Sequence, residues 1–158
     1  MEPVEKLQHT IDALFGNGVS KFLPKKIEIT YSRKNGRIRS VFNDQKLLCT
    51  LRIDGDLAIS PLFAQMLLKS KKFKENCIEI DIDSKPFIEE GRSVFCNHVV
   101  WCGKNRQISS DVPVLFKSKV IAVGKAVLSS EMIQSQNKGV AIKIRDSLKS
   151  QDKGDRSL

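Results

Sequence analysis

Residues 86–101 read P-F-I-E-E-G-R-S-V-F-C-N-H-V-V-W, and the two ends of this stretch ask for different local structure. Phe87-Ile88-Glu89-Glu90 is a short amphipathic segment that Gly91 can end, because glycine enters the left-handed conformation without a Cβ penalty. A strand is expected at once after it. From Ser93 the side chains fall into two alternating sets, Val94/Cys96/His98/Val100 and Phe95/Asn97/Val99/Trp101. Both sets are largely apolar, as in a strand covered on both faces. The corner between helix and strand is Gly91-Arg92-Ser93, a tight turn expected to expose backbone N–H groups beside a fixed cation. That combination can hold a phosphate, although glycine and serine in this order also build ordinary turns.

Downstream, residues 103–110 form a polar connection, and residues 111–117 form a strand whose Pro113 predicts an edge position. Residues 119–128 are the longest expected strand, and Gly124 within V-I-A-V-G-K-A-V marks a bulge or a close backbone approach. Ser129 to Ile133 reads as a capped helical turn and Asn137-Lys138-Gly139 as a turn before the last strand, residues 140–145. In that strand Val140, Ile142 and Ile144 point one way, and Lys143 and Arg145 the other. The tail, 148–158, has no periodicity and is expected to be disordered.

Upstream, Asp83-Ser84-Lys85-Pro86 punctuates the chain, which places a domain boundary between residues 83 and 84. Before it come a helix over 5–15, closed by Gly16-Asn17-Gly18, and a strand over 27–31. Asn35-Gly36 signals a hairpin that pairs Tyr31 with Ile38 and crowds Arg33, Lys34, Arg37 and Arg39 about its tip. Four cations on one turn suit either an anionic partner or a solvated end. Strands follow over 46–53 and 57–60. Ser60-Pro61 then reads as N-cap and first residue of a helix over 62–70, and residues 77–82 alternate as one more strand. Lysines 69, 71, 72 and 74 make a second basic cluster, which the helix macrodipole also favours.

The chain has 158 residues, 41% of them hydrophobic, enough for one domain or two small ones with packed cores. Its net charge is +9. Residues 1–80 carry 14 Lys/Arg against 9 Asp/Glu, and residues 81–158 carry 13 against 9, so both halves are basic. A polyanion is the partner such a surface suits, because each neutralised phosphate releases counterions; lysine that merely keeps a protein soluble gives the same balance. No apolar run approaches the roughly 20 residues of a membrane span, and the N-terminus lacks a signal peptide's pattern, so a cytoplasmic protein is expected. The four cysteines sit in or beside apolar runs and are expected as free thiols.

The second half resembles a PUA domain, the small RNA-binding fold named for pseudouridine synthases and archaeosine transglycosylases. The resemblance runs through P-F-I-E-E-G-R-S-V-F-C-N-H-V-V, D-V-P-V-L-F, V-I-A-V-G-K-A-V-L-S-S-E-M and N-K-G-V-A-I-K-I-R. Residues 32–39 and the Leu-rich strand to Asp54-Gly55-Asp56 are similar to the domain preceding PUA in archaeal tRNA-guanine transglycosylases. The resemblance implies an α+β protein: a small α/β domain over 1–83 and a mixed β pseudo-barrel over 84–147. It implies an RNA surface at Phe87, Glu90, Gly91, Arg92, Ser93 and Val94, joined by Lys138, Gly139, Lys143 and Arg145. Arg33, Lys34, Arg37 and Arg39 are candidates for a second RNA contact.

A transglycosylase barrel would need about 250 residues, so no catalysis is expected of this chain. Cys96, His98 and Cys102 share one face of the expected strand, but Cys96 and Cys102 would lie about 20 Å apart, too far for one zinc ion. Neither metal nor cofactor is expected. His98 has no acid or nucleophile near it in sequence and reads as a packed strand residue, and His9 has still less to suggest chemistry. The expected role is a stand-alone protein that docks structured RNA, tRNA or rRNA, in RNA modification or translation. The alternative is an interaction subunit that joins an RNA-modifying enzyme or a ribosomal assembly and has little affinity for free RNA.

Overall fold

The computed structural model describes residues 2–105, 111–136 and 138–148, and it divides into two compact units, residues 1–73 and 74–158. The division falls ten residues before the expected boundary. The reason is the strand Ile78–Ile80, which hydrogen-bonds into the second unit's sheet and not the first's.

In the first unit, helix α1 (Pro3–Phe15) presents Leu7, Ile11 and Phe15 to the core at i, i+4, i+8 spacing. A 3₁₀ turn (Val19–Phe22) leads to four antiparallel strands in sequence order, β1 (Glu28–Tyr31), β2 (Ile38–Asn43), β3 (Lys46–Leu51) and β4 (Leu57–Ile59). Val41, Cys49 and Ile59 face one another across three strands and are fully buried, so this row fixes which face meets the helices. Helix α2 (Pro61–Leu67) begins as expected, with the Ser60 hydroxyl accepting the Phe63 N–H at 3.1 Å. It is shorter than the expected helix. The chain turns at Ser70 into a separate turn of helix, α3 (Lys71–Lys74), whose Phe73 meets Phe15 edge to face at 5.3 Å.

Tyr31 and Ile38 pair as the hairpin signal requires, but Asn35-Gly36 is not a two-residue turn. Ser32 N–H closes a wider loop onto the Arg37 carbonyl at 2.8 Å, Gly36 takes φ 68°, and the Asn35 side chain accepts the Arg37 N–H. Arg33, Lys34, Arg37 and Arg39 are all exposed on or beside this loop.

The second unit holds β5 (Ile78–Ile80), α4 (Lys85–Glu89), β6 (Val94–Phe95), β7 (Val99–Cys102), β8 (Asp111–Phe116), β9 (Lys119–Ala126), α5 (Ser130–Ser135) and β10 (Val140–Ser147). Its six strands lie in the order β6-β10-β9-β8-β5-β7, with β5 parallel to β8 and every other pair antiparallel, a mixed sheet curling into the expected pseudo-barrel. Ile78, Ile88, Val94, Val112, Val114, Ala122, Ala141 and Ile142 fill its core. The α+β class stands.

Three expectations change here. The strand expected over 93–101 is broken by a 3₁₀ turn at Cys96–His98, so β6 and β7 run to opposite edges of the sheet. Its two apolar sets are not both covered: Phe95 and Val100 are 49% and 62% exposed. Pro113 lies in an interior strand, yet the register with β5 starts only at Val114, so no β5 residue pairs with Pro113 among the described residues. The turn residue Asn137, part of the connection (106–110) and nearly all of the 148–158 tail lie outside the described residues.

Gly124 meets both halves of its expectation. A methyl group at this position would overlap the Lys143 carbonyl, and the β9–β10 register slips between Ile144 and Asp146, leaving Arg145 as the bulged residue. Gly124→Ala is therefore expected to force β10 outward and cost about 1–3 kcal/mol. Urea unfolding would measure this, and a midpoint equal to that of the unmodified protein would contradict it.

Candidate nucleic-acid interface

The corner at Gly91 is built by the end of α4. Gly91 takes φ 96°, its N–H donates to the Ile88 carbonyl at 2.9 Å, and the Arg92 N–H donates to Phe87 at 3.0 Å. This is the paired closure of a Schellman turn. It corrects the expectation that the corner offers main-chain donors, because the amides of Gly91 and Arg92 are spent inside the turn. What it presents outward is side chain. The Arg92 guanidinium carbon lies 5.4 Å from the centroid of the Phe87 ring, which is itself 50% exposed. Glu90 is exposed beside them, and a carboxylate there can accept hydrogen bonds but repels phosphate.

Two fixed points hold this corner against β10. The Ser147 hydroxyl donates to the Glu89 carbonyl at 2.8 Å, and Val94 pairs with Ile142. Glu89 and Val94 are thereby set beside Ser147 and Ile142 of β10, with the corner between them. Val94 is fully buried against the core, so its side chain is no surface contact. At the far end the Gly139 carbonyl accepts the Cys96 N–H at 2.9 Å, with Gly139 at φ 99° and Lys138 exposed next to it.

Lys143 is exposed on the outward face of β10. Arg145 is not a free cation: its Nη2 lies 2.7 Å from Oδ2 of Asp111, a carboxylate whose side chain has no exposed surface. The bulge opposite Gly124 turns Arg145 toward β8, and a buried carboxylate holds its charge there.

Comparison with known proteins matches each unit to a domain family. Residues 76–148 match the PUA domain, and residues 5–74 match the patch-forming domain C2 of tRNA-guanine transglycosylase. The second unit carries a PUA domain. It is 38% identical over 146 residues to the tRNA-guanine(15) transglycosylase of Methanosphaera stadtmanae, covering 89% of this chain and 22% of the relative. It is 31% identical over 151 residues to that of Methanobrevibacter smithii, covering 94% of this chain and 23% of the relative. The chain thus spans about a fifth of the length of these curated relatives. Among solved structures, a conserved PUA domain protein from Thermoplasma acidophilum shares the fold with TM-score 0.68 at 16% identity, covering 94% of this chain and 91% of its own. A hypothetical protein from Pyrococcus horikoshii gives TM-score 0.72 at 18% identity, covering 92% and 89%.

The PUA domain also shows what the sequence pattern hid. Phe95 follows buried Val94 in β6, so by strand alternation it faces outward on the side of Lys143. Reading both sides of this strand as covered concealed it. His98 is no packed strand residue: its Nδ1 lies 2.8 Å from Oδ2 of Asp81, an acid 17 residues away in the chain. The same carboxylate accepts the Ser84 N–H at 3.0 Å, immediately before α4, so the pair pins the start of the helix that carries the corner. The strand geometry that separated Cys96 from Cys102 fails at the 3₁₀ turn, but among the described residues no three His, Cys, Asp or Glu side chains cluster as a metal site would need. None of the four cysteines is in a disulfide and all are buried, and burial pushes the pKa of the Cys49 thiol up to about 12.

Burial raises the pKa of Asp81, but the hydrogen bonds from His98 and Ser84 outweigh it and hold the group below its ordinary value of 3.8. A depressed folded value gives stability that is complete above the unfolded pKa and is lost as pH falls through the folded one. Asp81→Asn should therefore melt below the unmodified protein at pH 7, with the gap closing below about pH 4. A gap that stays constant from neutral pH into the acid range would contradict this.

Proposed function

We propose that this protein binds structured RNA, tRNA first, through its PUA domain, on the surface where the Gly91 corner runs beside the outward face of β10. The observation that carries the reading is the double anchoring of that corner, at Ser147–Glu89 and at Val94–Ile142, which sets Arg92 and Lys143 on neighbouring segments. A PUA fold and relatives named for a tRNA enzyme support the choice of ligand. The role is binding rather than chemistry, since the chain's similarity is to the C2 and PUA parts, and a cytoplasmic setting follows from the ligand.

In this reading Arg92 and Lys143 hold phosphates, and Phe87, capped by the guanidinium, offers a ring on which a base or ribose can rest. Ser93 and Glu90 take hydrogen bonds from sugar or base edges, while Lys138 and Gly139 flank the far end. Arg145 adds positive potential and keeps its bond to Asp111. The loop cations Arg33, Lys34, Arg37 and Arg39 offer the first unit a separate contact of its own.

Each phosphate contact removed should lower the salt slope by about one. Arg92→Ala combined with Lys143→Ala is expected to weaken binding of an unmodified tRNA transcript at least about tenfold near 0.1 M KCl and to flatten log K against log[KCl] by about two. Filter binding at several KCl concentrations measures both. An affinity and slope equal to those of the unmodified protein would overturn the proposal.

A further inference from the structure

Lys125 of β9 lies directly opposite Lys143 of β10 in the strand register, and both are exposed. Like charges at opposed positions repel and destabilise a sheet, so such a pair needs compensation. The carboxylate of Asp111, opposite Lys125 on β8, could supply it, but Arg145 holds that group at 2.7 Å. Among the described residues neither lysine has an acidic partner. Lys143, Lys125 and the buried Asp111 thus form one row over β10, β9 and β8, and Val94, paired with the neighbouring Ile142, carries Ser93 to the β10 end of it. The row starts at the Gly91 corner, with Phe95 on the same face.

We infer that Lys125 and Lys143 form a two-lysine seat for a single backbone phosphate of the bound RNA, and that Lys125, on the strand next to the last one, extends the interface across the sheet. This rests on the RNA-binding reading above. The seat is electrostatically unfavourable when empty and is neutralised when a phosphate bridges the two ammonium groups. Two consequences follow. Removing either charge stabilises the free protein, and removing Lys125 weakens RNA binding although it lies outside the corner and the last strand.

The test uses the full chain with Lys125→Gln, Lys143→Gln, the double variant and Lys125→Arg. Without RNA and at low salt, each Gln variant should melt higher than the parent, and the double variant should gain less than the sum of the two, because the same repulsion is counted in both singles. With an unmodified tRNA transcript, Lys125→Gln should bind about three- to tenfold more weakly near 0.1 M KCl, with the salt slope reduced by about one, and Lys125→Arg should bind like the parent. If Lys125→Gln binds like the parent while Arg92→Ala with Lys143→Ala does not, the seat is refuted and the RNA reading stands. If all of these variants bind like the parent, the RNA reading falls and the seat with it. Additive melting gains would refute the shared seat whatever the binding result.

Discussion

The carbonyl of Lys143 occupies the space that any side chain at position 124 would need, so β9 and β10 meet as they do only because residue 124 is glycine. From this contact much of the surface follows. The close approach shifts the register by one residue, Arg145 becomes the bulged residue, and its guanidinium swings to the buried carboxylate of Asp111. A cation that the plain alternation of β10 would leave outside is thereby tied into the sheet. Lys143, on the regular side of the bulge, keeps its outward position and meets Lys125 across the strands. On the other face Ile142 stays in register with Val94 and Ala126, all buried, so the same register that packs the core sets the spacing of the outer charges.

The corner at Gly91 makes a complementary point about what this surface can recognise. Its Schellman closure satisfies the main-chain donors of Gly91 and Arg92, and the helix before it has only five residues. Those two amides are therefore not on offer to an anion. In the proposed RNA-binding reading, recognition falls to long side chains and rings: Arg92 over Phe87, the two facing lysines, and Phe95. Such groups read backbone charge and shape more than base sequence, and binding through them depends strongly on salt. The Asp81–His98 pair belongs to the same account from beneath, because it fixes Ser84 and so the point from which α4 departs.

Local signals revealed those parts of the fold that local chemistry decides. Ser60-Pro61 announced a capped helix, Gly91 a helix end, and Gly124 a close approach, because each residue type has few other uses in those settings. Features decided by pairing were hidden. Residues 78–80 alternate like a strand of either unit, and only their hydrogen bonds to β7 and β8 assign them to the second. Residues 93–101 are largely apolar on both alternating sets, so nothing in the pattern marks the break at Cys96–His98, which is held by bonds to Gly139 and Asp81 from distant segments. In the same way Arg145 and Lys143 look equivalent in sequence. The difference between them lies in Asp111, 34 residues earlier, and the partnership of Lys143 with Lys125 is a matter of register alone.

The most direct test of the account is where RNA touches the protein. Amide chemical shifts of the labelled chain, followed during titration with an unmodified tRNA transcript, should move together for Arg92, Ser93 and Phe95, for Lys125, and for Lys143 on the last strand, while those of β7 at the far edge of the sheet stay in place. Shifts centred on β7 and the Asp81–His98 side, with the residues around Lys143 and Arg92 unmoved, would contradict it.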